Sequence, residues 1–264
     1  MSTVQAPVLL RADDGRGVTT LSLNRPQAFN ALSEDMLAAL QLEFDRLNTD
    51  SSVRVVVIAA HGKAFCAGHD LKEMRAQPSL EYYRSLFNRC GRLMMAIQRL
   101  PVPVIAKVQG LATAAGCQLV AQCDLAVAST TARFAVSGVN LGLFCSTPGV
   151  ALSRNLSRKA AFEMLATGEF ISAQQAQDKG LVNRVAAPED LDAAVQVLCD
   201  SILRKPRQAL AMGKALFYRQ LESGLDAAYI DAAQTMACNM MDASALEGVQ
   251  AFIDKREPDW PERR

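Results

Sequence analysis

The chain has 264 residues, half of them hydrophobic, and its 28 basic and 27 acidic side chains leave a formal net charge of +1. A chain of this length and composition buries a substantial core. The near-zero charge argues against a nucleic-acid partner or an anionic membrane surface, because both require a basic surface. We therefore expect a globular protein whose partners are neither nucleic acids nor membranes.

The start of the chain and the cysteines bear on its compartment. Met1 to Pro7 is short and mixed, and no uninterrupted apolar run approaches the ~20 residues of a membrane-spanning helix. The seven cysteines lack paired CxxC spacing, which predicts buried reduced thiols rather than a disulfide framework. We predict a cytosolic location. With His61 and His69 as the only histidines, we expect no metal site.

The first half of the chain alternates strand-like and helix-like segments, as in an α/β protein. Ser33 has the pattern of a helix N-cap, followed by acidic residues and by apolar residues at helical spacing. The predicted strands are Val18–Leu23, Arg54–Ala60, Val104–Val108 and Leu125–Ala128, and a long helix is predicted over Leu80–Arg99. Because Arg54–Ala60 is apolar on both faces, we interpret it as a central parallel strand.

The second half is mostly helical. Helices are predicted over Ser157–Ala166, Ser172–Lys179, Glu189–Leu203, Pro206–Tyr218, Leu225–Cys238 and Ala243–Asp254. Gly168 and Gly180 fall where helices end. Met236, Met240 and Met241 form an apolar surface that needs a cover, with core packing as the first interpretation and a subunit interface as the second.

Two turns rich in small residues have the pattern of a catalytic feature. Ala114-Ala115-Gly116 stands between a strand and a helix, where free amides at the helix start hold a developing oxyanion. Close packing of two elements is the competing explanation of such a turn. Cys66-Ala67-Gly68 also follows a strand and precedes a helix start. Together the two turns can supply one amide each to a shared oxygen.

A third segment, Arg133–Thr147, has Gly138 and Gly142 interrupting an apolar run. This pattern fits either a loop that lines a cavity or a buried hairpin, and the residues alone leave both open.

The stretches KAFCAGHDLKE (63–73) and GLATAAGCQLVAQCD (110–124) resemble the enoyl-CoA hydratase/isomerase (crotonase) superfamily, whose fingerprints are KAFxAGxDLxE and GxAxGGGxxLxxxxD. The resemblance runs from Asn24 to about Arg256. It implies an α/β fold, a ClpP-like spiral of repeated ββα units over residues 1–195, followed by a helical trimerisation region over 196–264. It also implies a homotrimer or a hexamer made as a dimer of trimers.

The resemblance further implies that the ligand is an acyl-CoA or enoyl-CoA thioester, with no other cofactor. By position, the amides of His69 and Ala115 would form the oxyanion hole. Lys255 and Arg256 would reach a nucleotide phosphate across a subunit boundary, although a solvated basic helix end explains them equally well. The remaining residues implied in CoA binding are Gln27, Ala28, Phe29, Ala67, Asp70, Leu71 and Lys72.

The departures from the family pattern concern its chemistry. Gln118 and Gly138 stand where the resemblance implies the two catalytic glutamates, and neither exchanges a proton as a carboxylate does. A positioned acid or base contributes roughly 10²- to 10⁴-fold in rate, so ordinary hydratase activity is doubtful. Cys145 and Ser146 occupy a position where some members carry an aspartate. The same segments look most like the subgroup called enoyl-CoA hydratase domain-containing proteins.

Of three candidate functions, two are compatible with these residues. The first is an enzyme that stabilises a thioester enolate and uses unconventional acid/base groups, with the His69 side chain as one candidate. The second is a non-catalytic CoA-thioester binding or scaffold protein. A serine protease of the Clp type would need a Ser/His/acid set, and the chain has no GxSxG elbow. Whether the chain is an enzyme stays open between the first two.

Overall fold

The computed structural model describes residues 6–261, which form ten strands and eleven α-helices. The strands are β1 (Leu9–Asp13), β2 (Val18–Leu23), β3 (Val55–Ala60), β4 (Ala64–Cys66), β5 (Val104–Val108), β6 (Leu111–Thr113), β7 (Leu125–Ser129), β8 (Arg133–Ala135), β9 (Ile171–Ser172) and β10 (Arg184–Ala186). The helices are α1 (Glu34–Thr49), α2 (Leu71–Ala76), α3 (Leu80–Arg99), α4 (Ala115–Gln122), α5 (Ser146–Asn155), α6 (Arg158–Thr167), α7 (Ala173–Asp178), α8 (Leu191–Leu203), α9 (Arg207–Gln220), α10 (Leu225–Met240) and α11 (Ala243–Ile253).

The strands build two sheets, and the larger has the order β1-β2-β3-β5-β7-β10. Strand β1 is antiparallel to β2, whereas the other neighbours in this sheet are parallel. Strand β3 lies near its centre, and Val55 to Ala59 are all buried. This confirms the central parallel strand predicted from its two apolar faces, because helices cover both sides of such a sheet.

Each turn of the spiral places one strand in each sheet. Strands β3, β5 and β7 lie in the large sheet, while β4, β6 and β8, which follow them in sequence, lie parallel to one another in the small sheet. Helices follow each pair, so the repeated ββα units are confirmed. Because parallel strands end at the same edge of a sheet, the turns after β4, β6 and β8 meet there, where ligands bind in such sheets.

Local caps explain why several helix starts agree with the sequence. The Ser33 hydroxyl accepts a hydrogen bond from the amide of Met36 and begins α1, and Ser79 does the same for α3. Ser172 forms a reciprocal capping box with Gln175 at the start of α7. Helix α3 has the predicted bounds Leu80–Arg99.

The C-terminal helices carry much exposed apolar surface. Met236, Met240 and Met241 are 69%, 44% and 79% exposed, so the expectation that they pack in the core is wrong for the single chain. The predicted boundary between residues 195 and 196 falls inside α8, whose Val195 and Cys199 pack on the large sheet. Among the described residues, no helix is long and apolar enough to cross a bilayer.

The predicted state of the cysteines is confirmed except at one position. All seven thiols are free, and six of them are buried. Cys238 on α10 is exposed.

Candidate functional site

A cavity of about 690 Å³ opens beside the turns that follow β4, β6 and β8. It brings together most of the residues implied in ligand binding. The implied residues that line it are Gln27, Ala28, Phe29, Ala67, His69, Asp70, Leu71, Lys72, Ala115 and Gly138. The apolar part of the wall includes Leu141, Leu143 and Phe144 from the 133–147 segment, and also residues that the sequence did not indicate: Met74, Phe87 and Pro148. The helical spacing of Phe87 on α3 indicates that its side chain faces the protein interior, but not that it lines a cavity.

The two turns of small residues touch each other at the inner edge of the cavity. A β-carbon added to Gly68 would stand 3.2 Å from the Ala115 nitrogen and 3.0 Å from the Ala114 methyl. One added to Gly116 would overlap the carbonyl oxygen of Cys66. Gly68 also has a left-handed φ of 92°. Glycine at these positions therefore permits the close approach of the two backbones.

The amides of His69 and Ala115 are left unpaired within the described backbone. Leu32 and His69 form a short parallel bridge, but its two hydrogen bonds involve the residues on either side of His69. The Leu32 amide donates to the Gly68 carbonyl at 2.7 Å, and the Asp70 amide donates to the Leu32 carbonyl at 3.4 Å. Ala115 is the first residue of α4, where an amide has no partner inside the helix. Two such donors and the positive end of the helix dipole stabilise an oxyanion.

An ion pair fixes the loop that carries the His69 amide. The Arg25 guanidinium donates to Asp70 Oδ2 at 3.1 Å, and Asp70 Oδ1 accepts from the Lys72 amide at 3.1 Å, capping α2. Burial alone would raise the pKa of Asp70, but these bonds, with one from the Glu73 amide, hold that pKa below its usual value. The carboxylate is thus ionised at neutral pH and keeps the loop in place.

The His69 ring forms part of the cavity wall, with its edge against Phe87 at a ring-centroid distance of 5.5 Å. Both ring nitrogens are buried and lack a hydrogen-bond partner among the described residues. Burial lowers the pKa of His69 to about 4, and the Leu32 backbone offsets only part of this effect. The imidazole is neutral at pH 7, and its buried nitrogens are not accessible to solvent in the cavity. This arrangement weakens the interpretation of the side chain as a base.

Gly138 lines the cavity, but it has no room for a side chain. Its amide donates to Cys145 Sγ at 3.3 Å, and an added β-carbon would lie 2.7 Å from that sulfur and overlap the Leu143 carbonyl oxygen. Its φ is not left-handed, so a positive φ is not the reason for glycine at this position. Close approach is the physical reason instead.

The segment around Gly138 settles the choice between a cavity-lining loop and a hairpin. After β8 the chain forms a 3₁₀ helix over Ser137–Leu141 and enters α5 at Ser146. Ser137, Leu141, Phe144 and Ser146 line the cavity, which confirms the loop interpretation. Burial raises the pKa of the Cys145 thiol, with a smaller opposing effect from the Gly138 amide. The thiol is therefore not activated as a nucleophile.

Three of the implied residues lie outside the cavity wall of the single chain. Gln118 is buried in α4 with its Oε1 unpartnered among the described residues, and it does not line the cavity. Lys255 follows α11 with a left-handed φ of 56°. Arg256 binds Glu247, with Nη1 at 2.6 Å from Oε1. The role implied for Lys255 and Arg256 across a subunit boundary stays a prediction.

Ala114, between β6 and α4, has an unusual backbone conformation. Its φ of 48° and ψ of −121° lie outside the right-handed, extended and left-handed regions that L-residues populate. A non-glycine residue in such a region costs of order 1–3 kcal/mol. The neighbouring structure holds it there, since its amide donates to the Ala135 carbonyl at 2.9 Å and its carbonyl accepts from Gln118 at 3.0 Å.

Comparisons with known proteins agree with this architecture. Residues 13–263 match the family model described as enoyl-CoA hydratase/isomerase. A crystal structure of an enoyl-CoA hydratase from Mycobacterium smegmatis is 69% identical, with a TM-score of 0.95 and coverage of 96% of this chain and 99% of that one. The structure of human enoyl coenzyme A hydratase domain-containing protein 3 is 43% identical, with a TM-score of 0.92 and coverage of 96% and 100%.

A curated relative, enoyl-CoA hydratase domain-containing protein 3 of Xenopus laevis, is 48% identical over 92% of this chain and 83% of its own length. It and four other vertebrate relatives are named mitochondrial, which contradicts our prediction of a cytosolic location. Residues 1–5, on which that prediction partly relied, lie outside the described residues. The family model and the identity over nearly the whole chain agree with the two sequence motifs and with the spiral of ββα units. The chain therefore belongs to the enoyl-CoA hydratase/isomerase family.

Proposed function

We propose that the chain binds acyl-CoA and enoyl-CoA thioesters, with the thioester oxygen between the amides of His69 and Ala115. The observation that carries this proposal is the contact between the two turns, which leaves both amides unpaired at the cavity edge. A thioester carbonyl gains negative charge when it becomes an enolate. Fixed amide donors in a site shielded from water stabilise that charge more than water does.

The cavity wall supports a thioester whose two ends differ in polarity. Arg25, Asp70 and Lys72 are the charged residues of the wall. Asp70 and Lys72 are implied in CoA binding, and Arg25 is the ion-pair partner of Asp70. The wall elsewhere is mostly apolar, with Phe87, Leu143 and Phe144 among its members, and it suits an acyl chain. We propose that CoA contacts the charged residues and that the acyl group contacts Phe87, Leu143 and Phe144.

The proposed chemistry is limited to what two amides provide. Gly138 has no space for a carboxylate, the Gln118 amide does not exchange protons, and the His69 nitrogens are buried and inaccessible to solvent. We therefore propose that the two amides stabilise an enolate, as in an enoyl-CoA hydratase/isomerase, while solvent water in the cavity accepts the α-proton. Hydration of enoyl-CoA should then be very slow.

The second candidate is a non-catalytic CoA-thioester binding or scaffold protein. The missing acid/base groups favour it, and the retained amides are compatible with both functions. Exchange of the acyl α-hydrogens in deuterated water distinguishes them. Enolate formation incorporates deuterium into bound butyryl-CoA, whereas a binding protein without chemistry leaves the ligand unlabelled.

Calorimetric titration with butyryl-CoA tests the binding proposal. Ala115→Pro removes the amide hydrogen and should weaken binding at least about tenfold, whereas the matched Ala115→Gly keeps the donor and should bind like the unmodified chain. Circular dichroism checks that both variants fold. If the unmodified chain binds no acyl-CoA, the proposal is wrong.

A further inference from the structure

Ala114 combines a strained backbone with a side chain at the proposed oxyanion hole. Its φ of 48° and ψ of −121° suit glycine, which adopts positive φ without a steric penalty. Glycine at this position would keep both backbone hydrogen bonds, to the Ala135 carbonyl and from the Gln118 amide. The turn itself therefore does not need the methyl group.

The methyl group lies next to the proposed binding position of the thioester. Ala114 is partly exposed and lines the cavity, and its β-carbon is three bonds from the Ala115 nitrogen. A carbonyl oxygen that accepts from this nitrogen places the neighbouring acyl carbons close to the methyl group. On the opposite turn Gly68 has no side chain, and a β-carbon there would stand 3.0 Å from the Ala114 methyl. The methyl is thus the side chain at this junction of the two turns.

From this placement we infer that Ala114 is a specificity-determining residue, whose methyl group excludes acyl-CoA thioesters that are branched at the carbon next to the carbonyl. The inference rests on the proposed binding of CoA thioesters and names the subclass that the site accepts. A single additional methyl group in a packed apolar site changes affinity by about tenfold or more. The site therefore selects thioesters that are unbranched at this carbon.

Ala114→Gly tests the inference by removing only the methyl group. Calorimetry compares butyryl-CoA with isobutyryl-CoA, which differ by a branch at that carbon. The unmodified chain should bind butyryl-CoA at least about tenfold more tightly. In Ala114→Gly the two affinities should agree within about threefold, through tighter binding of isobutyryl-CoA.

Thermal unfolding supplies an independent readout. Ala114→Gly should raise Tm by about 2–4 °C because it relieves strain, whereas Ala121→Gly, the same change inside α4, should lower it. An unchanged preference in Ala114→Gly, or no preference in the unmodified chain, would overturn the inference while leaving CoA binding intact. Failure of both ligands to bind the unmodified chain would overturn the proposed function, and the inference with it.

Discussion

The sulfur of Cys145 lies 2.7 Å from the point where a β-carbon on Gly138 would stand, and it accepts a hydrogen bond from the Gly138 amide at 3.3 Å. The thiol and the Leu143 carbonyl thus fill the space that a carboxylate side chain would need to enter. The wall beside Gly138 is therefore closed to a larger side chain.

We expect Gly138→Ala to destabilise the chain by about 1–3 kcal/mol, because even a methyl group forces the 143–145 segment to move. Gly213→Ala is the matched control, since a β-carbon there meets nothing within 4 Å and alanine favours helix α9. Chemical denaturation measures the unfolding free energies of both variants. An unchanged unfolding free energy in Gly138→Ala would contradict the close contact.

The same contact changes what can be expected from placing glutamates at positions 118 and 138. Since the resemblance implies two catalytic glutamates at these positions, Gln118→Glu with Gly138→Glu would be expected to raise hydration of crotonyl-CoA above either single change. With Gly138 enclosed, we now expect Gly138→Glu to misfold or to displace the loop, so the pair gains no activity. A folded double variant with measurable hydration would show that the 143–145 segment moves to accommodate the Glu side chain at little energetic cost.

The sequence predicted features that depend on neighbours along the chain. The Ser33 cap, the end of α6 at Gly168 and the bounds of α3 follow from local hydrogen bonding and apolar periodicity, so they agree with the structure. The approach of Cys145 to Gly138 joins residues across a turn whose shape no local pattern defines. The exposure of Met241 could not be predicted either. Apolar residues have the same spacing along a helix whether the helix packs in a core or at a subunit interface.

The buried imidazole predicts a pH-dependent stability. The pKa of His69 is about 4 in the folded chain, against about 6.5 when unfolded, so the unfolded chain binds more protons between these values. Stability should therefore fall as pH drops from about 6.5 towards 4, by about 2 kcal/mol at pH 5. Thermal unfolding at pH 7.5 and pH 5 measures this loss.

Replacing the imidazole should remove this dependence. In His69→Phe the difference in Tm between the two pH values should shrink, and stability at pH 7.5 should rise because two unpaired buried nitrogens are gone. His61→Gln, at an exposed histidine, controls for the loss of a histidine. Equal pH dependence in the unmodified chain and in His69→Phe would exclude His69 as its source.

A buried ion pair ties α9 to the core of the same chain. Lys214 Nζ lies 2.7 Å from Asp124 Oδ2, and it also donates to the Ile97 and Val102 carbonyls at 3.0 and 2.9 Å. Lys214→Met leaves the Asp124 charge buried without its partner and should cost about 3–5 kcal/mol. Arg154→Met, at an exposed ion pair, should cost less than about 1 kcal/mol. Denaturant titration that finds equal losses would contradict the structural role of the buried pair.

The exposed apolar surface of the last two helices predicts self-association. Tyr229 and Ile230 on α10 are 71% and 72% exposed, and Phe252 on α11 is 85% exposed. Closed symmetric assemblies are the usual way to cover such surfaces, and we propose a trimer or a dimer of trimers. Sedimentation should show this assembly for the unmodified chain and smaller species for Phe252→Glu.

Leu42→Glu, on α1, is the matched control for this test because Leu42 is also exposed but lies outside the C-terminal region. It should leave the assembly unchanged. A stable monomer of the unmodified chain at micromolar concentration would refute the proposed assembly.

The most direct test of the account is the rate at which the unmodified chain hydrates saturating crotonyl-CoA, beside a family hydratase that carries both glutamates. The chain has the two amides of the proposed oxyanion hole but no carboxylate at position 118 or 138. We predict a rate at least about 10³-fold lower than that of the hydratase. A rate within about tenfold of the hydratase would contradict this prediction and would show that another group in the cavity supplies the acid/base chemistry.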